Sequence, residues 1–217
     1  MDQETQKIIA AHLRKPEGET GMEVAYYMNE GNAGMNRFAI SKLTPETNHK
    51  VLEIGMGNGY FAKEVLEKIP FGFYTGFDYS ATMVRAAEEL NKDKVGEGRM
   101  RFLEGKAANM PFDDGSFEWV FTSNTIYFWE EPAKELKEIK RVLKPGGTLL
   151  LAMRPEETMN NIPLTKYGFH IRTKETVHNM LQMGGFTEIK TEEFSEEKED
   201  ANGSPAQLKT MVFNCKA

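Results

Sequence analysis

The sequence predicts one α/β unit: a Rossmann-like, doubly wound, mostly parallel sheet of about seven strands, with an antiparallel edge hairpin strand and an N-terminal helical cap. Three observations predict it. From Val51 onward, short apolar runs alternate with segments of helical periodicity, the pattern of successive βαβ units. The first apolar run ends in a Gly-x-Gly-x-Gly loop that opens a helix. The last two runs have no helix between them, which makes them a hairpin.

The 217 residues fit one domain with an addition. Residues 1–21 are polar, carry Pro16, Gly18 and Gly21, and read as irregular. Residues 22–43 are richer in Met and aromatics and read as two short helices joined at a glycine turn. The helical cap is therefore assigned to 1–43 and the binding domain to 44–217. Val51-Leu52-Glu53-Ile54-Gly55 suits a strand buried on both faces. Phe61, Val65, Leu66 and Ile69 follow at helical spacing, and Pro70 stops them. Residues 73–78 form the second strand, and Ser80 caps a helix over 81–90. Residues 99–105 and 117–124 are the next strands. Pro132 to Leu143 is an amphipathic helix with Leu136, Ile139 and Val142 on one side. Lys144-Pro145-Gly146-Gly147 reads as its stop, and 148–153 as the fifth strand. Thr173 caps a helix over 174–183. Residues 186–195 and 207–216 are the last strands, and the acidic stretch Glu192 to Asp200 reads as a solvated hairpin turn.

Composition narrows the function. A net charge of −6 disfavours a nucleic-acid partner. The longest apolar run, Leu149 to Met153, is far short of the ~20 residues of a membrane span. Cys215 is alone, so it builds neither an intramolecular disulfide nor a cysteine metal site. The chain reads as soluble and cytoplasmic, with no metal site.

The glycine loop is the most informative segment. Its glycines let the backbone turn tightly and let a ligand approach the main chain. A dinucleotide fold needs G-x-G-x-x-G, and here the third slot holds the bulky Tyr60. That favours a nucleoside ligand without a pyrophosphate. Asp78 ends the second strand, and a carboxylate supplies two acceptors to the two donors of a ribose diol. The bland reading of Asp78 is a favourable charge at the following helix N-terminus.

These segments resemble the class I S-adenosylmethionine-dependent methyltransferases, in the broad group similar to quinone- and sterol-modifying enzymes. The resemblance is carried by VLEIGMGNGYF, GFDYS, EGKAANMPFDDGSFEWVFTSNTIYFWEEP and EIKRVLKPGGTLLL, about residues 50–152. It implies S-adenosylmethionine as cofactor and S-adenosylhomocysteine as product. It implies that Gly55, Gly57 and Gly59 wrap the methionine part and that Glu53 orients its ammonium. Asp78 would hold the ribose, Tyr79 and Met83 would pack on adenine, Ala107 would offer its backbone, and Asn124 would line the methionine end. One departure stands out: many relatives have Gly-Asp-Ala where this chain has Gly105-Lys106-Ala107. The usual Asp accepts from the adenine amino group, and Lys106 has no acceptor. Either Lys106 points to solvent while backbone or another side chain reads adenine, or affinity is lower.

Methyl transfer needs no compulsory catalytic residue, so none is assigned. Tyr26, Tyr27, Met28 and Met35 are expected at the cap of an acceptor pocket, and Tyr127 or Trp129 along its wall. His170, in a segment where a lid often forms, is the histidine ranked first as a general base; His12 ranks below it. The expected acceptor is a small, partly apolar or aromatic molecule. Two other readings remain open: a nicotinamide-dependent oxidoreductase, and a non-catalytic protein that binds the methyl donor. The sequence is silent on oligomeric state.

Overall fold

A computed structural model describes residues 2–199 and 205–217. Its elements run α1 (Gln3–Arg14), α2 (Gly18–Gly31), α3 (Ala33–Lys42), β1 (Lys50–Ile54), α4 (Ala62–Glu67), β2 (Phe73–Asp78), α5 (Ala81–Leu90), α6 (Lys92–Gly96), β3 (Met100–Glu104) and β4 (Phe117–Ser123). A 3-10 turn over Ile126–Phe128 leads to α7 (Pro132–Val142), β5 (Leu143–Met153), α8 (Glu156–Met159) and a second 3-10 turn over Pro163–Lys166. Then come α9 (Lys174–Met183), β6 (Thr187–Glu199) and β7 (Pro205–Lys216).

The seven strands lie in the order β3-β2-β1-β4-β5-β7-β6. All pairs from β3 to β5 are parallel, and β7 runs antiparallel to both β5 and β6. The antiparallel strand therefore sits one in from the edge, with its hairpin partner β6 outside it. Side-chain alternation sends each strand's apolar residues to two opposite layers. Leu52, Val120, Leu149, Leu151 and Phe213 pack with Leu136 and Ile139 of α7 and Val177 and Leu181 of α9. Val51, Phe121, Leu150 and Val212 pack with Met35 and Ile40 of α3 and Ala62 and Val65 of α4.

Local chemistry explains the element ends. The Ser80 hydroxyl accepts from the Met83 N–H at 3.2 Å, and the Thr173 hydroxyl accepts from Thr176 at 3.0 Å. Each satisfies an orphan donor of a first turn. Three expectations are corrected. Residues 3–14 and 18–21 are helical rather than irregular: Asp2 caps α1 by accepting from Thr5, and α2 begins at Gly18. Lys144 to Gly147 does not separate helix from strand; β5 starts at Leu143, and the glycines fall where its register against β4 shifts. Glu192 to Glu199 is strand rather than turn, paired with β7 out to Glu199 and Pro205. Its carboxylates have cationic partners: Lys42 on Glu192, Lys174 on Glu193, and Arg154 on Glu196 at 3.2 Å. Asp200 lies outside the described residues.

The buried Arg154 fastens the end of α2 to the sheet. Its guanidinium reaches Glu196, Thr210 and the carbonyl of Gly31. Lys198 adds bonds to the carbonyls of Glu30 and Gly31 at 3.0 and 2.8 Å. Among the described residues no helix is long and apolar enough to cross a membrane.

Candidate functional site

In an open parallel sheet, ligands bind beyond the carboxyl ends of the strands, where the strand order reverses. Here that point lies between β1 and β4, which lead in opposite directions across the sheet. A cavity of about 360 Å³ opens there. Its floor comes from the ends of β1, β2, β3 and β4, and its roof from α2, α3 and the segment joining α1 to α2.

The glycine loop leaves β1 with Gly55 at φ 72°, Gly57 at φ 58° and Gly59 at φ 68°, conformations that side chains rarely adopt. The three glycines have different duties. A Cβ on Gly55 would strike the Thr125 methyl at 2.2 Å. A Cβ on Gly57 would meet nothing within 4 Å, so that backbone faces open space. A Cβ on Gly59 would meet Ala87 of α5 at 2.8 Å, and Gly59 is not in the cavity wall. Gly59 therefore packs closely against α5, outside the cavity wall.

Asp78 is 8% exposed and anchors the loop from below. Its Oδ2 accepts from the Gly57 N–H at 3.1 Å and its Oδ1 from the Ser80 N–H at 2.9 Å. Each oxygen keeps acceptor capacity, since a carboxylate offers about four lone-pair sites. Burial raises its carboxyl to about 6, against the opposing backbone bonds. Glu53 is 5% exposed, and its Oε2 accepts from the Tyr74 hydroxyl at 2.6 Å. Burial raises Glu53 to about 7, and the charge of Asp78 adds to the effect.

Asn124 follows β4 at φ 58°, the left-handed region that asparagine tolerates better than most residues. Such conformations concentrate at ligand sites. Asn124 lines the cavity with Met83, Tyr79, Lys106, Ala107 and Trp129. The Tyr79 hydroxyl donates to the carbonyl of Arg14, and the Ser80 hydroxyl to that of Pro16. The roof is thus bonded to the end of β2, beside Asp78.

Six further residues expected at the site lie outside the cavity wall. Tyr26 and Tyr27 are 62% and 79% exposed, because they sit on the outer face of α2 while Ala25 and Met28 face in. Tyr127 is buried in the core under the site, with its hydroxyl bonded to the backbone of Arg154. His170 is exposed and its backbone N–H is held by the carbonyl of Tyr127 at 2.9 Å. Met35 is fully buried against the sheet, and His12 is likewise outside the wall. Conversely, Asn29, Asn32 and Asn36 line the cavity, as do Phe128 and Glu135. Asn29 belongs to α2, Asn32 to the junction and Asn36 to α3, so their convergence comes from how the two helices meet. Two buried polar atoms among the described residues have no partner, Ser123 Oγ and Glu135 Oε2. Glu135 belongs to the cavity wall, and so does Ser123.

A doubly wound sheet with a glycine loop and a buried strand-end carboxylate defines a nucleoside-binding Rossmann-like fold. The comparisons narrow the class. Residues 52–151 match the family described as a methyltransferase domain. An uncharacterized methyltransferase of Bacillus subtilis, YdaC, is 29% identical over 136 residues, covering 63% of this chain and 73% of the relative. A demethylmenaquinone methyltransferase of Chlorobaculum tepidum is 38% identical over 109 residues, covering 50% and 42%. A tRNA U34 carboxymethyltransferase of Nautilia profundicola is 29% identical over 150 residues, covering 66% and 49%. The crystal structure of a SAM-dependent methyltransferase from Aquifex aeolicus superposes with a TM-score of 0.63 at 21% identity, covering 83% and 88%. Apart from YdaC, then, this chain matches about half the length of those curated relatives. Residues 52–151 therefore carry a methyltransferase domain, set on the fold of solved S-adenosylmethionine-dependent methyltransferases.

Proposed function

We propose that this chain transfers the methyl group of S-adenosylmethionine to a small, partly apolar or aromatic acceptor held under the α2–α3 roof. The observation that carries the reading is continuity: one cavity joins the glycine loop and Asp78 to a roof wall of Ala25, Met28, Asn29, Asn32 and Asn36. The residues fit the donor. The open space at Gly57 leaves room for its methionine arm, and Glu53 has a second oxygen for the ammonium group. Asp78 has acceptor capacity for the ribose diol beyond the two backbone bonds it already makes. Tyr79 and Met83 supply apolar surface for adenine, and Asn124 closes the methionine end.

The bound cofactor supplies a methyl carbon activated by a sulfonium. The chain must hold a nucleophile in line with that carbon, at about 3–3.5 Å, and keep water out. Met28, Phe128 and Trp129 give the wall an apolar surface, and the three asparagines can orient polar groups of the acceptor. No histidine lines the cavity among the described residues. The chemistry then rests on positioning and desolvation, and suits a nucleophile that needs no strong base. The net charge of −6 and the enclosed roof support a small molecule over a nucleic acid, and the lone buried Cys215 is consistent with a cytoplasmic setting.

Formation of S-adenosylhomocysteine should be followed with a panel of phenols, quinols, amines and thiols, beside tRNA and protein fractions. The reading expects turnover with at least one small molecule. Turnover with RNA or protein alone would refute it.

A further inference from the structure

Lys106 occupies the place where a carboxylate would read the adenine amino group, and it is exposed with no acceptor to offer. The wall of the same cavity holds a different carboxylate. Glu135 is 7% exposed, and its Oε2 has no hydrogen-bond partner among the described residues. Burying an unsatisfied carboxylate is costly, so such a group points to a missing donor.

The position of Glu135 follows from how α7 runs beside the segment after β3. The Gly115 N–H donates to the carbonyl of Arg141 at 2.9 Å. The Arg141 guanidinium donates to the carbonyls of Phe112 and Met110 at 2.7 and 3.0 Å. The Met110 N–H donates to Glu138 Oε2 at 2.9 Å. Each step toward the start of α7 is thus a step back along this segment. Glu135 lies one turn before Glu138 on the same helix face. The next step back from Met110 reaches Ala107 and Ala108, which share the cavity wall with Glu135 and Lys106. Arg172 acts on Glu135 through its charge and uses its guanidinium on the carbonyls of Ile126 and Trp129 and on the Met180 sulfur. Its guanidinium leaves Glu135 Oε2 unoccupied.

We propose that Glu135 of α7 accepts the hydrogen bond of the adenine exocyclic amine, the role that Lys106 leaves vacant. The proposal rests on the cofactor reading and adds to it a residue that sets the base preference.

The test compares S-adenosylhomocysteine with S-inosylhomocysteine, in which a carbonyl replaces the amine, by calorimetric titration of the full chain. Wild-type protein should bind the adenine form about 10-fold or more tightly, as expected of a hydrogen bond to a charged group. Glu135→Ala should lose that preference, with the inosine form changed by less than about 3-fold. Glu135→Gln keeps a carbonyl acceptor and the side-chain volume, so it should keep part of the preference and serves if the alanine variant does not fold. Lys106→Asp should restore the preference in the Glu135→Ala background. Equal losses for both nucleosides, or no loss for either, would overturn the role of Glu135 while leaving the cofactor intact. Wild-type protein that bound neither nucleoside would overturn the cofactor reading, and this inference with it.

Discussion

Replacing Glu53 by glutamine keeps the shape of a buried side chain and removes its titration. Burial raises the Glu53 carboxyl from 4.5 to about 7, with the charge of Asp78 adding and the Tyr74 hydroxyl opposing. For an acid raised in this way the unfolded chain ionises first. The contribution to stability is full below about pH 4.5 and is lost as pH climbs through the window to about 7. Integrating the linkage between about pH 5 and about pH 8 gives a loss of about 2–3 kcal/mol for the wild type. Glutamine has no such dependence, and every other group is common to both proteins. Glu53→Gln should therefore gain about 2–3 kcal/mol on the wild type over that interval, or about 5–10 °C in relative Tm for a chain of this size. Thermal denaturation of ligand-free protein, followed by circular dichroism at both pH values and matched ionic strength, measures it. With S-adenosylhomocysteine present the advantage should shrink, because the ligand's ammonium favours the ionised wild-type carboxylate. A relative Tm that did not move with pH would refute the assignment of Glu53 as a buried, destabilised carboxyl.

Other substitutions separate the duties of neighbouring residues. Gly59→Ala should cost about 2–4 kcal/mol of stability, since it combines strain at φ 68° with a methyl 2.8 Å from Ala87, and chemical denaturation reads it. Gly57→Ala should cost only about 1–2 kcal/mol of stability, because its added methyl meets no protein atom, but should weaken S-adenosylhomocysteine binding in calorimetric titration, because that methyl projects into the space left for the donor. Arg154→Met should destabilise the protein by about 2–3 kcal/mol, as it leaves Glu196 with Lys198 alone and removes one of the two tethers on the end of α2; urea unfolding checks this. Cys215 is fully buried and its thiol is pushed up to about 12, so a thiol reagent should label it only as fast as the chain opens.

What could be read in the sequence follows from the range of the interactions involved. The bounds of β2, α5 and α9 are set by residues at their own ends, and Ser80 and Thr173 announce them. The glycine loop and Asp78 are equally local, because φ and strand position come from neighbouring residues. The acidic run 192–199 reads as a turn because its charges repel in isolation; the cations that make it a strand come from Lys42, Arg154 and Lys174, far away in sequence. The same holds for the cavity wall. Aromatic content points to Tyr26 and Tyr27, but α2 turns Ala25, Met28 and Asn29 inward, a choice made by how the roof docks on β2 and Arg154. Glu135 looks like one more surface charge of an amphipathic helix. Only the packing of α7 beside the segment after β3 buries it in the site.

The central claim is that Asp78 and the glycine loop hold a methyl donor with no pyrophosphate. Calorimetric titration of the wild type and Asp78→Ala with S-adenosylhomocysteine, and with NAD, tests it most directly. One site for S-adenosylhomocysteine, an affinity loss of about 10-fold or more in Asp78→Ala, and no heat with NAD are expected. Binding of NAD without S-adenosylhomocysteine, or unchanged affinity in a folded Asp78→Ala protein, would contradict it.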